Sequence, residues 1–177
     1  MQVHEYERYV KSARDYKFAR MFSILLITFT IISCILSFFT MESIYTLYLA
    51  NSFFVIGFAY LLNEPSSVLL FILFIVLTIG LITTFIIFYK KSKTSRVGLL
   101  ILLILVSIDT AVLLINCLTY ITRYLNLVLH GLTIFQLAKA YKTSKCLDDD
   151  FEEGVILTEA DITEIYNFLR TQKANDN

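Results

Sequence analysis

The feature that most constrains this chain is an uninterrupted apolar run from residue 67 to residue 89, SVLLFILFIVLTIGLITTFIIFY. The run carries no charged residue, and about 20 apolar residues suffice for a helix to cross the hydrocarbon core of a bilayer. The whole chain agrees with this assignment, because 57% hydrophobic residues, 17% charged residues and a mean hydropathy of +0.70 lie outside the range of ordinary soluble domains. We therefore expect an all-α integral membrane protein.

Three other segments have the length and composition of membrane spans, namely residues 21–40, 44–62 and 97–118. The second of these is followed by Asn63, Glu64 and Pro65, which end it because proline disfavours helix in the residue before it. Together the apolar segments predict a transmembrane bundle over residues 21–141 with four spans. A fifth span arises only if the chain turns back within residues 97–141.

The topology depends on whether the last apolar stretch is one helix. From Val97 to Tyr141 the chain contains no proline, so it can form one helix about 67 Å long or a hairpin that turns near residues 116–120. Basic residues favour the cytoplasmic side, and four spans with both termini in the cytoplasm place eight of the twelve basic residues near span ends there, whereas five spans place seven at best. Placing all twelve on one side requires that residues 44–62 not cross, although that segment is long enough. We therefore favour four spans in the cell's inner membrane, with one long final helix.

Polar residues recur on one face of this final segment at heptad spacing. Of the eight a and d positions between residues 109 and 133, seven are polar, the exception being Val112. The seven residues, which we call the polar seam, are Asp109, Asn116, Thr119, Arg123, Asn126, His130 and Thr133. The opposite register is apolar and comprises Leu118, Ile121, Leu125, Val128, Leu132 and Phe135. Because an ionisable side chain that faces lipid costs several kcal/mol, the polar seam must face protein or water.

Three arrangements satisfy this requirement. In the first, the polar seam hydrogen-bonds to neighbouring helices within the bundle. In the second, copies of the helix surround the axis of a homo-oligomer, and the seam lines a water-filled pore that conducts ions. In the third, a hairpin brings Asp109 opposite Asn126 and His130, where a buried carboxylate and imidazole pair can relay protons.

The chain has no tryptophan, so tyrosine must serve at the membrane interfaces. Tyr45, Tyr60 and Tyr89 lie near the expected span ends, where amphipathic rings are enriched. We therefore expect these three tyrosines to anchor the ends of the spans.

Residues 1–20 carry cations at helical spacing before the first span. These cations are Arg8, Lys11, Arg14, Lys17 and Arg20. The spacing predicts a cytosolic amphipathic helix whose basic side chains contact lipid headgroups of the bilayer. Because Glu5, Glu7 and Asp15 are interleaved with them, we do not expect nucleic-acid binding.

Residues 142–177 form an acidic tail that we expect to lie in the cytosol. The stretch from Thr158 to Asp161 resembles a capping box with Asp in place of Glu, so a short helix is predicted over residues 159–173. Its apolar stripe consists of Ile162, Ile165, Tyr166 and Leu169. A stripe this narrow cannot form a core of its own, so we expect it to dock on the N-terminal helix or on a cytosolic protein partner.

Nothing in the sequence indicates an enzyme. The histidines, His4 and His130, and the three cysteines show no metal-ligand or redox spacing, and no glycine-rich phosphate loop is present, so we expect neither metal nor cofactor. The leading hypothesis is a homo-oligomeric ion channel lined by the polar seam. The alternative is a membrane-embedded sensor or anchor that recruits a cytosolic partner through its tail, for example in a bacterial stress or anti-phage defence system, whose small multi-span proteins are similar to this chain in size and layout only.

Overall fold

The computed structural model describes residues 3–39, 45–63, 68–93, 95–117 and 124–147, together with Asn167 and Thr171. Within these ranges every regular element is helical, as the composition predicted. The α-helices are α1 (Val3–Leu36), α2 (Tyr48–Asn63), α3 (Val68–Lys91), α4 (Arg96–Cys117) and α5 (Tyr124–Thr143). Short 3₁₀ turns follow α1 at Ser37–Phe39 and α5 at Ser144–Leu147.

Three helical segments are long and apolar enough to cross a membrane, namely Arg8–Phe39, Val68–Lys91 and Arg96–Ile115. Of these, α3 is the most apolar, and its buried residues are Thr78 and Phe85 alone. The rest of α3 exposes large aliphatic side chains such as Leu69 and Val76. A continuous apolar surface of this kind is typical of a helix that faces lipid, which supports the expectation of a membrane protein.

One continuous helix, α1, contains both the predicted amphipathic segment and the first span. One face of α1 is buried, and it is formed by Ser12, Asp15, Ala19, Ser23, Leu26, Thr30 and Ser33. Most of these side chains are small, which lets neighbouring helices approach closely. Through this arrangement α1 packs against α2, α3 and α5.

The second helix, α2, begins in the middle of the bundle and runs in the same direction as α1. The backbone NH of Leu47 donates to the Thr30 hydroxyl at 2.7 Å, and Thr30 lies about 9 Å before the end of α1. Farther along both helices, the Ser33 hydroxyl donates to Asn51 Oδ1 at 3.0 Å. Because its first turn is buried at this depth, α2 does not cross the bundle from end to end, in contrast to the full span predicted for residues 44–62.

The remaining helices alternate in direction, and their ends meet the start of α1. The Tyr16 hydroxyl donates to the carbonyl of Ser92, between α3 and α4, at 2.6 Å. The Arg96 guanidinium, at the start of α4, donates to the carbonyl of Tyr141, near the end of α5, at 3.2 Å. The first half of α1, the turn from α3 to α4 and the end of α5 therefore share one end of the bundle, which we call the basic end.

All twelve basic residues counted near the expected span ends lie at this basic end. The four-span arrangement predicted from the sequence would have divided them between two sides. The structure instead gathers all of them at one end of the bundle, the arrangement that requires residues 44–62 not to cross. The reason is that α2 begins halfway through the bundle and so does not reverse the direction of the chain.

In place of the long final helix predicted over residues 97–141, α4 and α5 form an antiparallel hairpin. The first helix ends at Cys117 and the next begins at Tyr124. Asp109 on α4 pairs with His130 on α5. The prediction of one continuous helix is therefore wrong, because the two halves of the polar seam satisfy each other when the segment folds back.

The apolar register of this hairpin lies on the outer surface of α5. Leu125, Val128, Leu132 and Phe135 are all exposed on the surface of the bundle. The first two members of the register, Leu118 and Ile121, lie outside the described residues.

A layer of buried aliphatic side chains separates the paired seam residues from the basic end. This apolar layer consists of Leu26 from α1, Leu99 and Leu102 from α4, and Leu137 from α5. Leu102 is two helical turns from Asp109, and Leu137 is two turns from His130, so the layer lies about 10 Å from the pair. All four leucines are fully buried, which closes the bundle on this side.

Candidate functional site

Polar side chains cluster in the middle of the bundle, where α2 begins and where α4 and α5 face each other. We call this cluster the polar core, and it comprises Tyr45, Asp109, Asn126, His130 and Thr133. All five residues are buried, and His130 and Thr133 are 0% exposed. Because an ionisable group at membrane depth is costly, each must have partners inside the protein.

Asp109 holds the first turn of α2. Its Oδ2 accepts a hydrogen bond of 2.8 Å from the backbone NH of Tyr48, and its Oδ1 accepts one of 2.9 Å from the NH of Leu49. The first NH groups of a helix have no partner within the helix, and that end carries a partial positive charge. Asp109 therefore acts as an N-cap supplied by another helix, and α2 in turn stabilises a charged carboxylate.

His130 joins Asp109 to α5 through both of its ring nitrogens. Its Nδ1 lies 2.9 Å from the carbonyl oxygen of Asn126, and its Nε2 lies 3.0 Å from Asp109 Oδ2. A carbonyl oxygen only accepts, so Nδ1 is the donor there. The Nε2 and the carboxylate then face each other at hydrogen-bond distance. The pair therefore places an imidazole and a carboxyl group in direct contact inside the bundle.

Tyr45 closes the polar core on the side of α1. Its ring packs edge-on against the imidazole of His130, with 5.7 Å between the ring centroids. Its hydroxyl hydrogen-bonds to the Thr133 hydroxyl, which also donates to the Leu129 carbonyl at 2.9 Å. Tyr45 and Thr133 thus continue the chain of polar groups one turn along α5 from His130 toward the basic end.

On the side away from the basic end, the polar groups extend through the start of α2. The backbone NH of Thr46 approaches Asn126 Oδ1 at 3.4 Å. The Ser33 and Asn51 side chains, which are hydrogen-bonded to each other, lie one helical turn farther along α1 and α2. Polar groups therefore continue away from the basic end, whereas the apolar layer blocks the opposite direction.

The structure brings together four of the seven seam residues, namely Asp109, Asn126, His130 and Thr133. Thr119 and Arg123 lie outside the described residues, and of Asn116 only the backbone, in the last turn of α4, is described. The four residues face one another within one chain. Their side chains are buried among the helices of one chain, whereas rings around a symmetry axis would require them on its surface.

The residues predicted for the two ends of the chain have different outcomes. Arg8, Lys11, Arg14 and Lys17 are exposed on α1, whereas Arg20 is half-buried, with its guanidinium 4.7 Å from the ring centroid of Tyr89. The proposed docking residues lie outside the described residues and comprise Ile162, Ile165, Tyr166 and Leu169. The headgroup-contacting and partner-docking roles therefore stay predictions.

The sequence did not identify Tyr45 or Thr30 as members of a polar site. Tyr45 was expected to anchor a span end, yet it lies in the polar core because α2 begins at mid-bundle. A signal for Thr30 was present in α1, where Ser23, Thr30 and Ser33 follow one another at intervals of seven and three residues. This spacing places them on one helix face, and all three are buried.

The chemistry available to the polar core is proton transfer and hydrogen bonding. Among the described residues, no group of three His, Cys, Asp or Glu side chains is arranged to hold a metal ion. Asp109 and His130 supply two titratable groups, and the neighbouring hydroxyls of Tyr45 and Thr133 can donate or accept. Comparison with known protein families, curated proteins and solved structures finds no match for this chain.

Proposed function

We propose that this protein is a membrane channel that conducts protons through a path inside each chain. The observation that carries the proposal is the buried pair of Asp109 and His130, whose Oδ2 and Nε2 atoms lie 3.0 Å apart at mid-bundle. Ionisable residues inside membrane bundles commonly mark ion pathways and proton relays. A carboxylate and an imidazole are the pair best suited to exchange a proton near neutral pH.

The apolar layer is the gate in this proposal. Leu26, Leu102 and Leu137 lie between the Asp109–His130 pair and the basic end, and the buried polar side chain at their depth, Ser23, donates to the Ala19 carbonyl of its own helix. Hydrophobic constrictions of this kind block ions by excluding water, and they open when water enters. The described conformation is then the closed state, with protons reaching the pair from the side away from the basic end.

Orientation follows from the positions of the basic residues. All twelve lie at one end, and lysine and arginine near span ends favour the cytoplasmic side. We infer that the basic end faces the cytoplasm of the inner membrane. The homo-oligomer expected from the sequence stays a prediction, and the proposed path does not depend on it.

Proton flux into vesicles tests this proposal directly. The full chain is reconstituted into liposomes that contain a pH-sensitive dye, and a potassium gradient with valinomycin drives proton entry. Asp109→Asn and His130→Gln should each abolish the flux, because neither replacement side chain titrates. Leu102→Ser should increase it, because a hydroxyl in the apolar layer admits water.

Two matched variants control for unspecific effects. Asp15→Asn removes another buried, ion-paired carboxylate, which lies at the basic end outside the polar core, and should leave the flux unchanged. Ile104→Ser places a hydroxyl on the exposed side of the same helix as Leu102 and should not open the gate. Equal flux in the unmodified chain and in protein-free liposomes, including with Leu102→Ser, would overturn the channel proposal.

A sensor is the second candidate, and the complete closure of the apolar layer favours it. A pair that exchanges its proton with one side only can report pH without conducting. In that case α2, which Asp109 holds by its first turn, is the element that moves when the pair gains or loses its proton. The observations that distinguish the two functions are an absent flux together with a change in protease sensitivity between acidic and neutral pH, which Asp109→Asn abolishes.

A further inference from the structure

A cavity of about 480 Å³ opens at the basic end, between the first part of α1 and the end of α5. It is lined by Arg8, Lys11 and Ser12 on one side and by Lys142, Thr143 and Lys145 on the other. Its volume falls within the range of small-molecule sites. On α5 the described lining begins five residues beyond Leu137 of the apolar layer, and the cavity belongs to neither the polar core nor the proposed gate.

The charge of this cavity is one-sided. Four of its six described lining residues are cations, and none is acidic. The nearest described carboxylate on α1 is that of Asp15. It forms an ion pair with Lys139, whose Nζ lies 2.8 Å from Asp15 Oδ1. Four gathered cations repel one another, so an anion bound among them is stabilised by all four.

The dipole of α5 does not account for this arrangement. Lysines near the C-terminus of a helix are favourable there, which explains Lys142 and Lys145. Arg8 and Lys11, however, belong to α1, whose C-terminus lies at the other end of the bundle. Their convergence with the lysines of α5 therefore calls for a different explanation.

The walls of the cavity are held in place by contacts between α1 and α5. The Ser12 hydroxyl donates to the Thr143 carbonyl at 2.9 Å, and the ion pair of Asp15 and Lys139 lies one turn deeper. Ser144 donates to the Tyr141 carbonyl at 3.0 Å and fixes the turn that carries Lys145. A fixed frame reduces the entropy that a bound ligand would otherwise lose in ordering the site.

The position of the cavity along the bundle indicates which part of the membrane it faces. Between the cavity and the apolar layer, arginines pack on aromatic rings, with Arg20 over Tyr89 at 4.7 Å and Arg96 over Tyr141 at 4.5 Å. Tyrosines of this kind are typical of the level where hydrocarbon gives way to headgroups. The cavity lies beyond them on the aqueous side, at the level of phosphate groups.

We propose that this cavity is a binding site for phosphate-bearing anions, either the headgroup of an anionic phospholipid or a soluble phosphate compound. Arg8 offers a planar fork of donors that matches phosphate oxygens, and the three lysines act as point charges around it. Ser12 and Thr143 lie between the cations and line the floor of the site. Basic pockets between membrane helices bind lipid headgroups in this manner.

The test uses the full chain and two probes. Binding of inorganic pyrophosphate is measured by calorimetry in detergent, and retention of phosphatidylglycerol against phosphatidylcholine is measured by native mass spectrometry. The double variant Lys11→Gln with Lys142→Gln removes one cation from each wall and should weaken the affinity for the bound probe about tenfold. The double variant Arg14→Gln with Lys17→Gln makes the same change in net charge outside the cavity and should weaken it less than about twofold.

Each result has a defined meaning. Selective binding of phosphatidylglycerol alone identifies a headgroup site. Binding of pyrophosphate identifies a site that is open to soluble phosphates. Either result supports the proposal if the double variant within the cavity loses affinity and the double variant outside it does not. Equal losses in the two double variants would mean unspecific attraction to the basic end and would overturn it. Failure of the unmodified chain to bind either probe would overturn it as well.

Discussion

The carboxylate of Asp109 accepts a hydrogen bond of 2.8 Å from the backbone NH of Tyr48, although 61 residues separate the two in the chain. The start of α2 is thus set by a side chain on α4 and not by a residue that precedes α2. The same carboxylate also pairs with His130 on α5. One side chain therefore connects three helices at the centre of the bundle.

Removing this carboxylate should cause a large loss of stability. Asp109→Ala leaves His130 and the NH groups of Tyr48 and Leu49 without their partner, and loss of one member of a buried ion pair typically costs about 3–5 kcal/mol. The free energy of unfolding, measured by SDS titration with far-UV circular dichroism, should fall by that amount. Ser107→Ala, two residues away, removes only a bond to its own helix and should cost less than about 0.5 kcal/mol. Similar losses in the two variants would argue against the capping role.

The Tyr45 hydroxyl should contribute measurably to the polar core. Tyr45→Phe keeps the ring against His130 but removes the hydrogen bond to Thr133, so the free energy of unfolding should fall by about 0.5–1.5 kcal/mol. Tyr60→Phe is the matched control, because Tyr60 is 43% exposed and stacks on Phe74 through its ring. It should have no effect beyond the error of the measurement. A cost that is the same at both positions would contradict a specific role for Tyr45.

Gly98 should tolerate no side chain. A Cβ at this position would lie 2.5 Å from the backbone nitrogen of Ser92 and 2.6 Å from the carbonyl carbon of Lys91, and backbone atoms cannot move aside as the end of a side chain can. Gly98→Ala should therefore lower the free energy of unfolding by about 1–3 kcal/mol. Gly80→Ala meets no atom within 4 Å and should be neutral or stabilising. A neutral Gly98→Ala would show that the turn from α3 to α4 can open.

Chemical labelling should place the three basic segments on one side of the membrane. In a chain whose cysteines are replaced by alanine, single cysteines at Lys17, Lys91 and Lys142 should react with an impermeant maleimide from the same side, because these positions share the basic end. A cysteine at Asn63, at the far end of α2, should react from the other side. Labelling of Lys91→Cys and Lys17→Cys from opposite sides would restore the four-span topology with a long final helix.

The sequence predicted the helical class and the apolar segments because these depend on local composition and periodicity. It placed a possible turn near residues 116–120 but did not decide between a hairpin and one helix, since the break after Cys117 is marked by neither proline nor a run of glycines. What favours the hairpin is the pairing of Asp109 with His130 across it. Heptad spacing alone cannot distinguish a seam that faces other chains from a seam folded upon itself.

The start of α2 is a second feature that could not be predicted from the sequence. Composition marked residues 44–62 as an apolar helix, and Tyr48–Asn63 is one, but a helix that begins at mid-bundle needs partners for its first NH groups, and those partners lie far away in sequence. Leu47 finds Thr30 on α1, and Tyr48 finds Asp109 on α4. No feature within residues 44–62 indicates either contact. The polar stripe on α1, which includes Thr30, is the sequence signal from which the contact with α1 could have been inferred.

The dependence of α2 on Asp109 also orders the biosynthesis of the protein. During translation, the residues of α2 leave the ribosome well before those of α4, so the first turn of α2 lacks its cap when it reaches the membrane. Exposed NH groups are costly in hydrocarbon, so we expect α2 to remain at the interface or beside the insertion machinery until α4 has entered. A chain that ends before Asp109 lacks the partner of the Tyr48 and Leu49 NH groups, and we expect it to leave α2 outside the bundle.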